Sequence, residues 1–139
     1  MRLDYFQKVM ELEKPEMVIF AGDHSTDAID ISLVYREIPF KIVRGNTDYF
    51  DNDTKDSEIF QLGKKKFYLT HGHLFGVKRN LNELEKQAVA EGVNVCIYGH
   101  THVEYMKEKD GILYLNPGAL QDKKYVIYNG EKFVQKKIK

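Results

Sequence analysis

Two stretches decide the fold: KKFYLTHGH at residues 65–73 and GVNVCIYGHTH at residues 92–102. Each is an apolar run of strand length that stops at a His-X-His pair. Phe67, Tyr68 and Leu69 carry the first, and Val93, Val95, Cys96, Ile97 and Tyr98 the second; β-branched and aromatic types of this kind favour strands. Runs that are continuously apolar, rather than alternating, belong to strands covered on both faces. Between them, Leu81, Leu84, Ala88 and Val89 share one helical face over residues 81–91, and Gly92 stands where a helix end favours glycine.

The pattern extends in both directions. Leu3, Phe6, Val9, Met10 and Leu12 recur at helical spacing among Lys and Glu, and Pro15 ends that helix. Residues 17–21 form a short apolar run, residues 27–36 a second helix and residues 41–44 the next strand. Residues 58–62 and 65–70 read as a hairpin around Gly63. Towards the C-terminus come strand-like runs at 103–106, 112–115, 125–128 and 132–138, separated by the turns Lys109-Asp110-Gly111 and Asn129-Gly130. Alternating strand and helix followed by a strand-rich third points to an α/β domain, layered as α/β/α.

The 139 residues fit one domain, taken as residues 1–139. Lysine plus arginine and aspartate plus glutamate both total 21, so net charge gives no argument for nucleic-acid or membrane binding. The single cysteine, Cys96, lies in an apolar strand and reads as a small buried hydrophobe, which excludes a disulfide framework within the chain. The sequence has no apolar run of membrane-spanning length, and a cytoplasmic protein is the default expectation.

Four polar clusters follow four of the apolar strands: Ala21-Gly22-Asp23, Gly45-Asn46-Thr47-Asp48, His71-Gly72-His73 and Gly99-His100-Thr101-His102. In open α/β sheets, ligands bind beyond the carboxyl ends of the strands. Imidazole suits zinc, manganese, iron and nickel, a carboxylate can bridge two cations, and an Asn carbonyl adds a neutral oxygen. A lone Gly-Asp or Asn after a strand is usually only a turn. Two separate His-X-His pairs at strand ends are harder to explain that way. His24, next to Asp23, reads as a solvent-facing loop residue.

The motifs Gly-Asp-x-x-x-Asp (residues 22–27), Gly-Asn-x-Asp (45–48), Thr-His-Gly-His (70–73), Gly-His-Thr-His (99–102) and Asn-Pro-Gly (116–118) together resemble the calcineurin-like metallophosphoesterases, and residues 70–76 resemble their small one-domain phosphodiesterases. The resemblance implies an α/β/α sheet sandwich and hydrolysis of a small phosphodiester by a metal-activated hydroxide attacking phosphorus in line. Asp23 matches the carboxylate shared by two metals, Asn46, His71 and His100 match ligands of the second metal, and His102 matches a ligand of the first. Asp48 and His73, in the same motifs, are the candidate catalytic residues placed behind these ligands.

Two departures from that pattern matter. Where the larger superfamily often has a leaving-group histidine after the Asn, this chain has Thr47. No Asp-x-His occurs, although the family opens on a strand that ends in it. The resemblance therefore implies a domain without its first strand, with a groove beside residues 17–21 and one well-held ion of manganese, nickel, zinc or iron instead of two. A non-catalytic scaffold of the same fold, like the metallophosphoesterase-like subunit of the retromer coat, is the alternative. A metal-binding regulator is a third reading. A homo-oligomer is compatible with the sequence.

Overall fold

The structure, a computed structural model, describes residues 3–48 and 54–139. In chain order it runs α1 (Leu3–Glu13), β1 (Val18–Phe20), α2 (Ser25–Val34), β2 (Phe40–Ile42), β3 (Ser57–Leu62), β4 (Lys65–Thr70), α3 (Asn82–Glu91), β5 (Val95–Ile97), β6 (Tyr105–Lys109), β7 (Ile112–Asn116), β8 (Lys124–Tyr128) and β9 (Phe133–Lys137). Short 3-10 turns occupy His73–Phe75 and Leu120–Asp122. Strands β3-β4-β5-β7-β6 form a five-stranded mixed sheet in that order, in which β4, β5 and β7 run parallel. β1 pairs in parallel with β2, and β8 pairs antiparallel with β9.

The period of two along the central strands builds the layers. Tyr68, Cys96, Tyr98 and Tyr114 face one way and pack on Val77, Leu84 and Ala88, the apolar side of α3. Phe67, Leu69, Val95, Ile97 and Leu115 face the other way, onto Ile19 and Ala21 at β1 and onto Val126, Tyr128 and Phe133 of the β8–β9 hairpin. The far side of β1 and β2, through Val18, Phe20, Phe40 and Ile42, packs on Phe6 and Met10 of α1 and on Ala28 and Ile31 of α2. The result is the expected layered α/β/α sandwich, with its β layer doubled. Strands buried on both faces explain the continuous apolar runs, and Cys96 is fully buried among them.

Several boundaries move, each for a local reason. Helix α2 opens at Ser25 rather than Asp27, because the Asp48 carboxylate accepts the Ser25 backbone N–H at 3.1 Å and caps the helix from a distant loop. The strand expected at 103–106 forms instead at Tyr105–Lys109, because the Val103 N–H turns back to the Thr101 hydroxyl at 3.1 Å. Gly92 caps α3 in the left-handed conformation at φ 66°, its N–H reaching the carbonyls of Ala88 and Val89.

Among the described residues, β1 has β2 as its one strand partner. A cleft of about 260 Å³ is lined by Val18, Ile19 and Phe20 of β1, by Tyr125, Val126 and Ile127 of β8 and by Phe6 and Met10 below. One end of this cleft is polar and holds Asp23, His71, His100 and His102. No described helix is long and apolar enough to cross a membrane.

Candidate metal centre

Asp23 follows β1, His71 follows β4 and His100 follows β5, so three strand ends deliver these side chains to one place. Ligand atoms of Asp23, His71 and His100 all lie within 4.8 Å of one another. Close backbone approach makes this possible. Gly22, at φ 96°, sits where an added Cβ would come to 2.9 Å from both the Gly45 nitrogen and the His71 Cβ. At Gly45 an added Cβ would lie 2.1 Å from the Asp23 Oδ1. The Gly99 N–H donates to the His71 carbonyl at 3.0 Å and ties the two histidine loops together.

The backbone is also held in an unusual conformation. Asp23 (φ 45°), His24 (φ 61°), His100 (φ 66°) and His102 (φ 61°) are all left-handed non-glycine residues. Such residues cost on the order of 1–3 kcal/mol each and persist where surrounding structure over-determines them, typically at functional sites. Asn116 supplies part of that determination. Fully buried, it donates from Nδ2 to the Gly99 carbonyl at 3.1 Å and to the Thr101 hydroxyl at 2.9 Å, and its Oδ1 accepts the Gly118 N–H at 2.9 Å.

The electrostatics suit a cation. Burial drives the His71 pKa down to about 4, against the pull of the Asp23 carboxylate, so at neutral pH this ring is uncharged. His71 Nε2 lies 3.2 Å from Asp23 Oδ2. On the other side of the ring, His71 Nδ1 and His73 Nδ1 share a hydrogen bond at 3.1 Å, its direction set by the tautomer. His100 is also pushed down, by burial and then by the Lys78 charge, with Asp23 opposing. Burial works against the charge of Asp23, yet its pKa falls, because the hydrogen bond from the Thr47 hydroxyl, the neighbouring His71 ring and the Thr47 N–H outweigh it. Neutral imidazoles beside an ionised carboxylate are the protonation states that metal ligation needs, and the nitrogen–nitrogen–oxygen donor set fits a transition metal.

The remaining sequence candidates take different places. Asn46 is exposed in the turn between Gly45 and Thr47, the residues that flank the Asp23 carboxylate. His102 is exposed on the polar end of the cleft, its Nδ1 3.4 Å from Gln121 Nε2. His73 lies obliquely beside both other imidazoles, with ring centroids 5.2 Å from His71 and 6.2 Å from His100. Asp48 uses both oxygens on backbone N–H groups, of Gly45 at 2.7 Å and of Ser25 at 3.1 Å. His24 is exposed beside Asp27 at 3.8 Å, as a solvent-facing loop residue should be. Sequence reading missed the parts played by Thr47 and Gln121; only their closeness in sequence to the motifs pointed to them.

Fold and site together define a layered α/β domain with a histidine–carboxylate cluster at its strand ends that could hold a metal ion. The chain belongs to the calcineurin-like phosphoesterase superfamily, whose domain its residues 2–129 match. It is 32% identical over 106 residues to the Bacillus subtilis protein named "Probable metallophosphoesterase YsnB", a match that spans 76% of this chain and 60% of that one. Among solved structures it resembles a conserved protein of Streptococcus pneumoniae TIGR4 described as a predicted phosphoesterase, with TM-score 0.71 and 25% identity over 97% of this chain and 91% of the other. It shares its fold with Vps29 of Entamoeba histolytica in complex with zinc, with TM-score 0.72 and 20% identity over 92% and 77% of the two chains.

Proposed function

We propose that this chain is a metal-dependent phosphoesterase that hydrolyses small phosphodiesters. The observation that carries the reading is the convergence of Asp23, His71 and His100 within 4.8 Å at three strand ends. Asn46, in the turn whose Thr47 binds Asp23, would complete the ligand set, and His102, at the polar end of the cleft, would approach from the rim. A divalent ion at this centre supplies Lewis-acid polarisation of a phosphoryl oxygen and an acidified water. Asp23 would bind the ion through Oδ2, the oxygen that faces His71; His71, with its one proton on Nδ1 towards His73, would offer the Nε2 lone pair, and His100 a ring nitrogen. His73 is a positioning residue, because its hydrogen bond to His71 orients that ring. Asp48 is a positioning residue as well, since its carboxylate pins the Gly45 turn to the start of α2.

Calorimetric titration with manganese, nickel or zinc should give one tightly held ion per chain. His100→Ala and Asn46→Ala should each weaken binding by on the order of 10- to 100-fold or more, while His24→Ala stays within a few-fold of wild type. With the ion bound, an activated aryl phosphodiester should be hydrolysed in preference to the matching monoester. Equal losses in all three variants would overturn the ligand assignment. The second reading is a non-catalytic protein of the same fold, the fold shared with Vps29 of Entamoeba histolytica. Tight metal binding with no turnover on any phosphodiester would decide for it.

A further inference from the structure

The Asp23 carboxylate has two oxygens in different surroundings. Oδ1 accepts the Thr47 hydroxyl at 2.7 Å and the Thr47 N–H at 3.2 Å. The same oxygen lies so close to Gly45 that a Cβ there would come to 2.1 Å. Oδ2 instead faces His71 Nε2 at 3.2 Å. The turn that holds Oδ1 is itself clamped, since Asp48 binds the Gly45 N–H at 2.7 Å and the Ser25 N–H at 3.1 Å. The loops after β1 and β2 therefore exchange carboxylates: Asp23 is received by the 45–48 turn, and Asp48 by the backbone of both loops.

We infer that Thr47 is the positioning residue of the metal centre, its hydroxyl fixing the rotation of the Asp23 carboxylate so that Oδ2 alone is presented to the ion. A carboxylate torsion is broad and nearly two-fold, so without a second anchor on Oδ1 the two oxygens exchange readily. The backbone N–H holds one direction, and the hydroxyl adds the shorter bond. The hydroxyl has one proton, and that proton is committed to Asp23. Thr47 therefore has none to give a departing alkoxide. This inference rests on the metal reading of the site.

The test uses three forms of this 139-residue chain: wild type, Thr47→Val and Thr47→Ser. Thr47→Val keeps shape, β-branching and the N–H and removes only the hydroxyl. Manganese affinity by calorimetry should fall about 10-fold in Thr47→Val, a typical cost for losing a ligand's supporting hydrogen bond, and return to within a few-fold of wild type in Thr47→Ser. Thermal midpoints of the metal-free proteins check that all three are folded. A Thr47→Val chain that binds manganese as tightly as wild type overturns the inference, and so does a Thr47→Ser chain as weak as Thr47→Val. Wild type that binds no manganese overturns the metal reading itself.

Discussion

Asn116 shows how much one buried side chain can determine at a distance from the ligands. Its amide satisfies three groups of the 99–102 and 116–118 loops and is itself inaccessible to solvent. The loop it grips carries two left-handed histidines. In Asn116→Ala the Gly99 carbonyl and the Gly118 N–H, both partly buried, lose their partners, at up to about 1–3 kcal/mol for each group left unsatisfied. Chemical denaturation should therefore show a loss on the order of 3 kcal/mol. Metal affinity should drop along with it, because His100 and His102 lose the brace that keeps their backbone in a costly conformation. Unchanged stability in Asn116→Ala would show that the loop is held by other contacts.

At the scale of elements, the strand ends were readable because burial on both faces leaves unbroken apolar runs, and each run stops where ligand residues begin. The 65–73 and 92–102 stretches alone fixed the placement of His71 and His100. The cross-loop cap on α2 was not readable, since Asp48 and Ser25 meet only after β1 and β2 pair. Nor was the doubled β layer, because an apolar residue looks the same whether it faces a helix or a second sheet. The left-handed φ of Asp23, His100 and His102 is a consequence of tertiary crowding and has no composition signature. Gly92 is the opposite case, a local rule that held. An added Cβ there would meet nothing within 4 Å, but φ is 66°. Gly92→Ala should therefore cost about 1 kcal/mol through backbone conformation alone. Far from the ligands, it should leave metal affinity unchanged, and a coupled loss of affinity would mean that α3 transmits strain to the site.

Across the whole molecule, β1 joins two cores: Ile19 packs with the central sheet, while Val18 and Phe20 pack with α1 and α2. The metal centre sits where these layers meet, so its protonation state should be felt as global stability. His71 is the main sensor. Its side chain is 2% exposed, and burial lowers its pKa to about 4 from 6.5. The unfolded chain takes up this proton near pH 6.5, whereas the folded chain resists until about 4. Between those values the unfolded form binds more protons, so stability must fall as pH falls across that window and level off, for this group, below it. At about 1.4 kcal/mol per pKa unit the full effect is roughly 3 kcal/mol, a large share of a typical 5–15 kcal/mol. His100, also lowered, adds in the same direction. The lowered Asp23 contributes its own loss at still lower pH, below the ordinary carboxylate value. Urea denaturation of the chelator-treated protein at pH 7.5, 6, 5 and 4.5 measures this directly. In His71→Asn the part of the slope between pH 6.5 and 4 that belongs to the ring should vanish. A wild-type protein equally stable at pH 7.5 and 4.5 would mean that His71 is charged in the fold and that the centre is not held ready for a cation.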